Sequence, residues 1–145
     1  MSQATDKDKN SVKKKTVFGI ILIAVSAAIF LLTFQDSAGT VKLSETFRQW
    51  FKKIGIYSDF HSFRSNAHLV VYFILGVALS LYGNEAGWKW WVIILAGCGF
   101  GLMDEAIKIL LPTREFDAVD LVKDCIGVAI AVGIVILIRK GKTVK

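Results

Sequence analysis

Four stretches of the chain are long, apolar and nearly free of charge, and each is separated from the next by polar residues. From Thr16 to Gln35 there is no ionisable residue. At about 1.5 Å of rise per residue, a helix of that length spans roughly 30 Å, the thickness of a hydrocarbon core. A second stretch runs from Ser65 to Asn84, with His68 near its start and Tyr82 near its end, where an amphipathic ring suits a membrane interface. The third, Trp90 to Leu111, opens on the interfacial pair Trp90 and Trp91 and meets Asp104, Glu105 and Lys108 late. The fourth, Ala118 to Ile138, carries Asp120 and Asp124 early. This pattern predicts an all-α, polytopic integral membrane protein with about four transmembrane helices.

Between the first two spans, Asp36 to Arg64 mixes apolar and charged residues. Phe47, Trp50, Phe51 and Ile54 fall on one helical face, as expected of an amphipathic helix lying in the membrane interface. Residues 1–15 are polar and basic and are expected to be disordered, since they cannot bury enough apolar area to offset ordering. Residues 16–138 then form a single transmembrane domain, followed by a basic tail at 139–145. A cleaved signal peptide fits the order of features at the start, but the apolar run exceeds the usual stretch of about 7 to 15 residues.

Composition agrees. The chain has 145 residues, 54% of them hydrophobic, and one proline, with a mean hydropathy of +0.53; this leaves too little polar surface to coat a water-soluble globule. The net charge of +6 does not point to nucleic acid, because the excess basic residues flank the hydrophobic spans. It reads as topology instead. Lys7 to Lys15, Lys89 and Arg139 to Lys145 supply ten basic residues on one side, against six on the other in Lys42, Arg48, Lys52, Lys53, Arg64 and Arg114. The positive-inside rule therefore places both termini in the cytoplasm. Cys98 and Cys125 both lie in apolar stretches and read as small packing residues, with neither the clustering nor the spacing of a zinc site.

Gly97, Gly99 and Gly101 resemble a phosphate loop only superficially, because no strand precedes them. Gly97 and Gly101 make the small-xxx-small spacing that lets membrane helices approach closely, and Gly76 and Gly127 are further packing candidates.

The charged residues inside the spans carry the functional question, since an ionised group at the bilayer centre costs at least about 2.5–3.5 kcal/mol. Arg64, His68 and Tyr72 are spaced by four and share a helical face. Asp104 and Glu105 sit roughly 10 Å below the end of the third span. Asp117, Asp120 and Asp124 share a face at the start of the fourth. With Arg114 in the preceding turn, these segments bring their ionisable residues to one side at similar depths, which predicts one polar pocket near the outer face. A structural ion-pair network is the alternative. Individually, Lys108 has the option of snorkelling to the interface, His68 of bonding a backbone carbonyl, and Asp117 of serving as the N-cap of the fourth helix.

The segment Arg64-Ser-Asn-Ala-His68-Leu-Val-Val-Tyr72, the pair Asp104-Glu105, and Pro112-Thr-Arg114-Glu-Phe-Asp117-Ala-Val-Asp120-Leu-Val-Lys-Asp124-Cys-Ile-Gly127 together resemble the VanZ-like family. Position by position, the resemblance singles out His68, Tyr72, Asp104, Glu105, Arg114, Asp120, Asp124 and Gly127. It departs from the family pattern at Lys108, where a glutamine is usual, and at Thr113, where Pro-Gly-Arg is usual. The resemblance implies a multi-pass cell-membrane protein of Gram-positive type, associated by its family name with resistance to the glycopeptide teicoplanin.

Three functions are compatible with these residues. In the first, the pocket binds the head group of a lipid or cell-wall precursor and lowers glycopeptide access, with Arg64 and Arg114 clamping phosphate or carboxylate and His68 and Tyr72 orienting it. In the second, the chain is an enzyme acting on such a lipid, with Asp104, Glu105, Asp120 and Asp124 holding one or two divalent cations and His68 as general base. In the third, it is a membrane scaffold for a partner protein. No motif identifies a cofactor.

Overall fold

The computed structural model describes residues 2–34, 37–53, 60–112 and 115–143, and every regular element among them is helical. The helices are α1 (Ser2–Phe34), α2 (Ser37–Lys53), α3 (Phe60–Glu85), α4 (Trp90–Ile109) and α5 (Ala118–Thr143). Three segments are long and apolar enough to cross a membrane: Lys9–Phe34 in α1, Asn66–Glu85 in α3 and Ala118–Gly141 in α5. By that measure three of the four spans expected from hydropathy qualify among the described residues. The difference lies in α4, whose last turns carry Asp104, Glu105 and Lys108 and leave Trp90 to Met103 as its uncharged stretch.

At both ends of the chain the helices continue into the basic stretches. α1 begins at Ser2, so the basic stretch expected to be disordered continues the apolar helix. Once a long apolar helix is nucleated, adding Lys, Asp or Gln to its end costs little, because these residues fall within about 0.7 kcal/mol of alanine in helix propensity. Likewise α5 runs on through the basic residues after Ile138 to Thr143.

The helix ends follow local chemistry. α3 stops at a turn in which Trp88 N–H donates to the Gly83 carbonyl at 2.7 Å and Gly87 N–H to that of Asn84 at 3.3 Å. That turn needs a left-handed residue, and Gly87 supplies it at φ +75°. α4 ends just before Pro112, which cannot continue a helix. α5 begins where the Asp117 carboxylate accepts the Val119 N–H at 2.8 Å, the N-cap arrangement anticipated from the sequence.

α3 is the centre of the bundle. Its most extensive contact is with α5, and it also packs against α1, α4 and α2. A Cβ built on Gly127 of α5 would lie 2.5 Å from the Leu69 carbonyl of α3, and one on Gly76 would lie 2.9 Å from Val128 Cα. Asn66 meets Lys123, His68 meets Asp124, Tyr72 meets Gly127 and Gly76 meets Ala131, so α3 and α5 run parallel. α4 runs opposite to both, with Gly83 facing Ile93, Gly97 facing Val128 and Gly101 facing Asp124. α1 joins through Phe30, whose ring meets Phe100 edge-on at 5.0 Å. The apolar core is Ile29, Tyr72, Leu75, Leu79, Ile93, Val128 and Val132.

Burial is inverted relative to a soluble bundle. Ile23 is 70% exposed and Leu137 70%, whereas Glu105 and Asp124 are wholly buried. Apolar faces turned outward and charge turned inward are what a hydrocarbon solvent selects. α2 packs beside α3 with Phe47 and Trp50 exposed. On its polar side the Arg48 guanidinium, 2.7 Å from Glu45, holds that carboxyl below its ordinary pKa.

The glycine contacts generate a test. Gly127→Ala should destabilise the protein by about 1–3 kcal/mol, because the new methyl meets backbone that cannot move aside. Gly99→Ala, with nothing within 4 Å, should be neutral or mildly stabilising. Thermal unfolding of the two variants in detergent separates these outcomes.

Candidate functional site

The directions of the helices bring the C-terminal part of α1, the N-terminal parts of α3 and α5, and the C-terminal part of α4 to one end of the bundle. The ionisable residues of three of these segments meet there. On α3, one turn above the buried Tyr72, His68 faces α5. Its Nδ1 lies 3.1 Å from Asp124 Oδ1 and its Nε2 lies 3.4 Å from Asp120 Oδ2. The spacing of four between the aspartates puts one carboxylate at each edge of the imidazole. Tyr72 lies nearly parallel to the imidazole, with ring centroids 6.5 Å apart and an interplanar angle of 13°.

α4 contributes Asp104, Glu105 and Lys108, all buried. Lys108 Nζ donates to Glu105 Oε1 and lies 3.8 Å from Asp104 Oδ2. It does not snorkel outward. Two carboxylates one turn behind it hold the ammonium inside, and leaving the bundle would strand them unpaired. The remaining oxygens of both carboxylates are also engaged. Asp104 Oδ1 accepts from the Thr33 hydroxyl of α1, and Glu105 Oε2 accepts the Asp117 backbone N–H at 3.1 Å.

His68, Asp104, Glu105 and Asp124 each place one potential ligand atom within 4.8 Å of the others. Two fully buried polar atoms at this centre, Tyr72 Oη and Asp124 Oδ2, have no hydrogen-bond partner among the described residues. Gly101 lets these two groups pack against α4. A Cβ there would lie 3.3 Å from the Tyr72 ring and 3.4 Å from Asp124 Oδ2.

The structure thus brings together His68, Tyr72, Asp104, Glu105, Asp120 and Asp124 of the residues singled out by sequence. Asp117 joins through its backbone, while its side chain caps α5. Arg114 and the side chain of Arg64 lie outside the described residues. Sequence reasoning missed Thr33, whose signal was a hydroxyl late in an otherwise apolar span, at the same end as the carboxylates. It also missed the link between Lys123 Nζ and Asn66 Oδ1, at 3.3 Å.

A family model described as VanZ/LLP1 matches residues 6–139, nearly the whole chain. No curated protein matches it, and no solved structure does.

The Lys108 triad makes a quantitative prediction. Lys108→Met strands two buried carboxylates and should cost about 3–5 kcal/mol. Lys108→Met combined with Glu105→Met should recover at least half of that, because the uncompensated charge is removed with its partner. Unfolding of the single and double variants in detergent measures both. An unchanged single variant would mean that the ammonium reaches the interface.

Proposed function

The chain belongs to the VanZ/LLP1 family, and from that premise we propose that it is a multi-pass cell-membrane protein whose outward-facing pocket binds the polar head group of a lipid or cell-envelope precursor. In this reading α4 is the fourth crossing, its charges neutralised within the bundle, and α2 lies in the interface on Phe47 and Trp50. Both termini are cytoplasmic, in accord with the distribution of basic residues along the chain.

One observation carries the proposal: a cluster of buried ionisable side chains, gathered from different helices at one end of an apolar bundle, retains two buried polar atoms without partners among the described residues. A cluster serving stability alone is expected to satisfy every member, because a half-satisfied buried network is worse than an apolar core. Intramembrane charge of this kind is a functional site by default. Arg64 precedes His68 by one helical turn in sequence, and Arg114 lies between α4 and α5. Their guanidinium forks suit a phosphate or carboxylate. Occupation of a cell-wall precursor by this pocket would lower susceptibility to teicoplanin.

A second reading, turnover of the bound lipid, is favoured by the position of His68 between two carboxylates, which fixes an imidazole as a general base requires. Under it, Asp120→Asn abolishes turnover and leaves lipid retention intact.

Native mass spectrometry of the full chain in mild detergent tests the binding reading. A phosphate-bearing lipid should remain on the parent protein, with retention falling at least ten-fold in Arg64→Ala. Absence of any specifically retained lipid would favour a scaffold for a partner protein instead.

A further inference from the structure

We infer that His68, Asp104, Glu105 and Asp124 form a seat for a single first-row divalent cation, manganese or zinc, inside the bundle. The ligand set differs from the all-carboxylate one suggested by sequence, since the imidazole enters it and Asp120 leaves it. The seat does not depend on a lipid occupying the pocket.

The four ligand atoms lie close to the spacing of a coordination sphere, and closing it needs a shift of about half an ångström. Ligands about 2.1 Å from a metal lie about 3 Å apart when adjacent and about 4.2 Å apart when opposite. His68 Nδ1 and Asp124 Oδ1 are 3.1 Å apart, and one atom from each of the four residues falls within 4.8 Å of the rest. The oxygens already accepting bonds from Thr33, Lys108 and the Asp117 amide each keep a second lone pair, so metal binding need not break those bonds.

Asp124 Oδ2 is the independent sign of a missing partner. It is buried, accepts no hydrogen bond among the described residues, and is directed toward Gly101, one turn before Asp104 and Glu105 on the same helix. A carboxylate oxygen left bare in a low-dielectric interior costs several kcal/mol, which a coordinated cation removes. Asp104, Glu105, Asp124 and, behind His68, Asp120 outnumber the single ammonium of Lys108, so the seat is short of positive charge and favours a cation.

Asp120 has the complementary role of a positioning residue. With Nδ1 turned to the metal, His68 carries its proton on Nε2, 3.4 Å from Asp120 Oδ2. A carboxylate behind a ligating imidazole fixes its tautomer and raises its basicity. The mixed nitrogen and oxygen set selects against magnesium and calcium, which prefer oxygen alone.

The test uses the full chain in detergent, stripped with chelator and titrated with manganese, with free ion followed by its paramagnetic resonance signal. The parent should bind one ion per chain saturably, with affinity lowered at least ten-fold in Asp124→Asn and in His68→Gln. Glu85→Gln, at the other end of α3, should match the parent. Because substitutions of buried groups can impair folding, thermal melts give a second readout: manganese should raise the Tm of the parent and leave that of His68→Gln unchanged. A parent without a saturable site, or an Asp124→Asn variant that binds as tightly, would overturn the assignment and leave protons as the charges that neutralise the cluster.

Discussion

An ammonium or carboxylate carried into hydrocarbon loses its hydration, and the protein has to replace what water supplied. Lys108 shows how that is done here. Its charge is met by Glu105 and Asp104 on its own helix, and each of those carboxylates is held in turn by a group from another segment, the Thr33 hydroxyl of α1 and the Asp117 amide at the start of α5. No member of this set is compensated alone, so the positions of three helices become conditions of one another. The bundle is held by apolar packing, but its register at this end is set by the polar cluster.

That dependence explains the use of small residues. The parallel pair α3 and α5 approach closely enough that Gly76 and Gly127 leave no room for a Cβ, and this approach lets the aspartates of α5 reach His68. Gly97 admits Val128 between α4 and α5, and Gly101, one turn on, stands beside Asp124 and Tyr72. Packing between membrane helices gains little from the hydrophobic effect, since lipid is as apolar as the helix surface; close backbone approach and internal polar contacts take its place. The same glycines that make the fold thus bring the residues of the proposed site together.

Much of this was legible in the chain. Hydropathy located α1, α3, α4 and α5, and the antiparallel order of spans brought His68, Asp104, Glu105, Asp120 and Asp124 to one end without any tertiary information. What was not legible depended on pairwise geometry. Thr33 looks like any hydroxyl in an apolar span until α1 packs beside α4, and Lys108, near a helix end, has snorkelling and inward pairing equally open until its neighbours are known. The helical course of residues before Thr16 was missed because composition measures burial, whereas a helix can propagate from an adjoining apolar segment without any. The role of Asp117 as a cap was anticipated; that its amide also closes the Glu105 carboxylate could not be, since no spacing rule links a loop N–H to a side chain on the preceding helix.

The central claim is that ionisable groups on different helices form one energetic unit. The most direct measurement is the coupling between His68 on α3 and Asp124 on α5, obtained from unfolding of the parent, His68→Gln, Asp124→Asn and the double variant in lipid bilayers with chelator present. Coupling of about 1 kcal/mol or more is the predicted result, the range found for residues sharing a buried network. Additivity to within about 0.5 kcal/mol, the behaviour of independent sites, would contradict it.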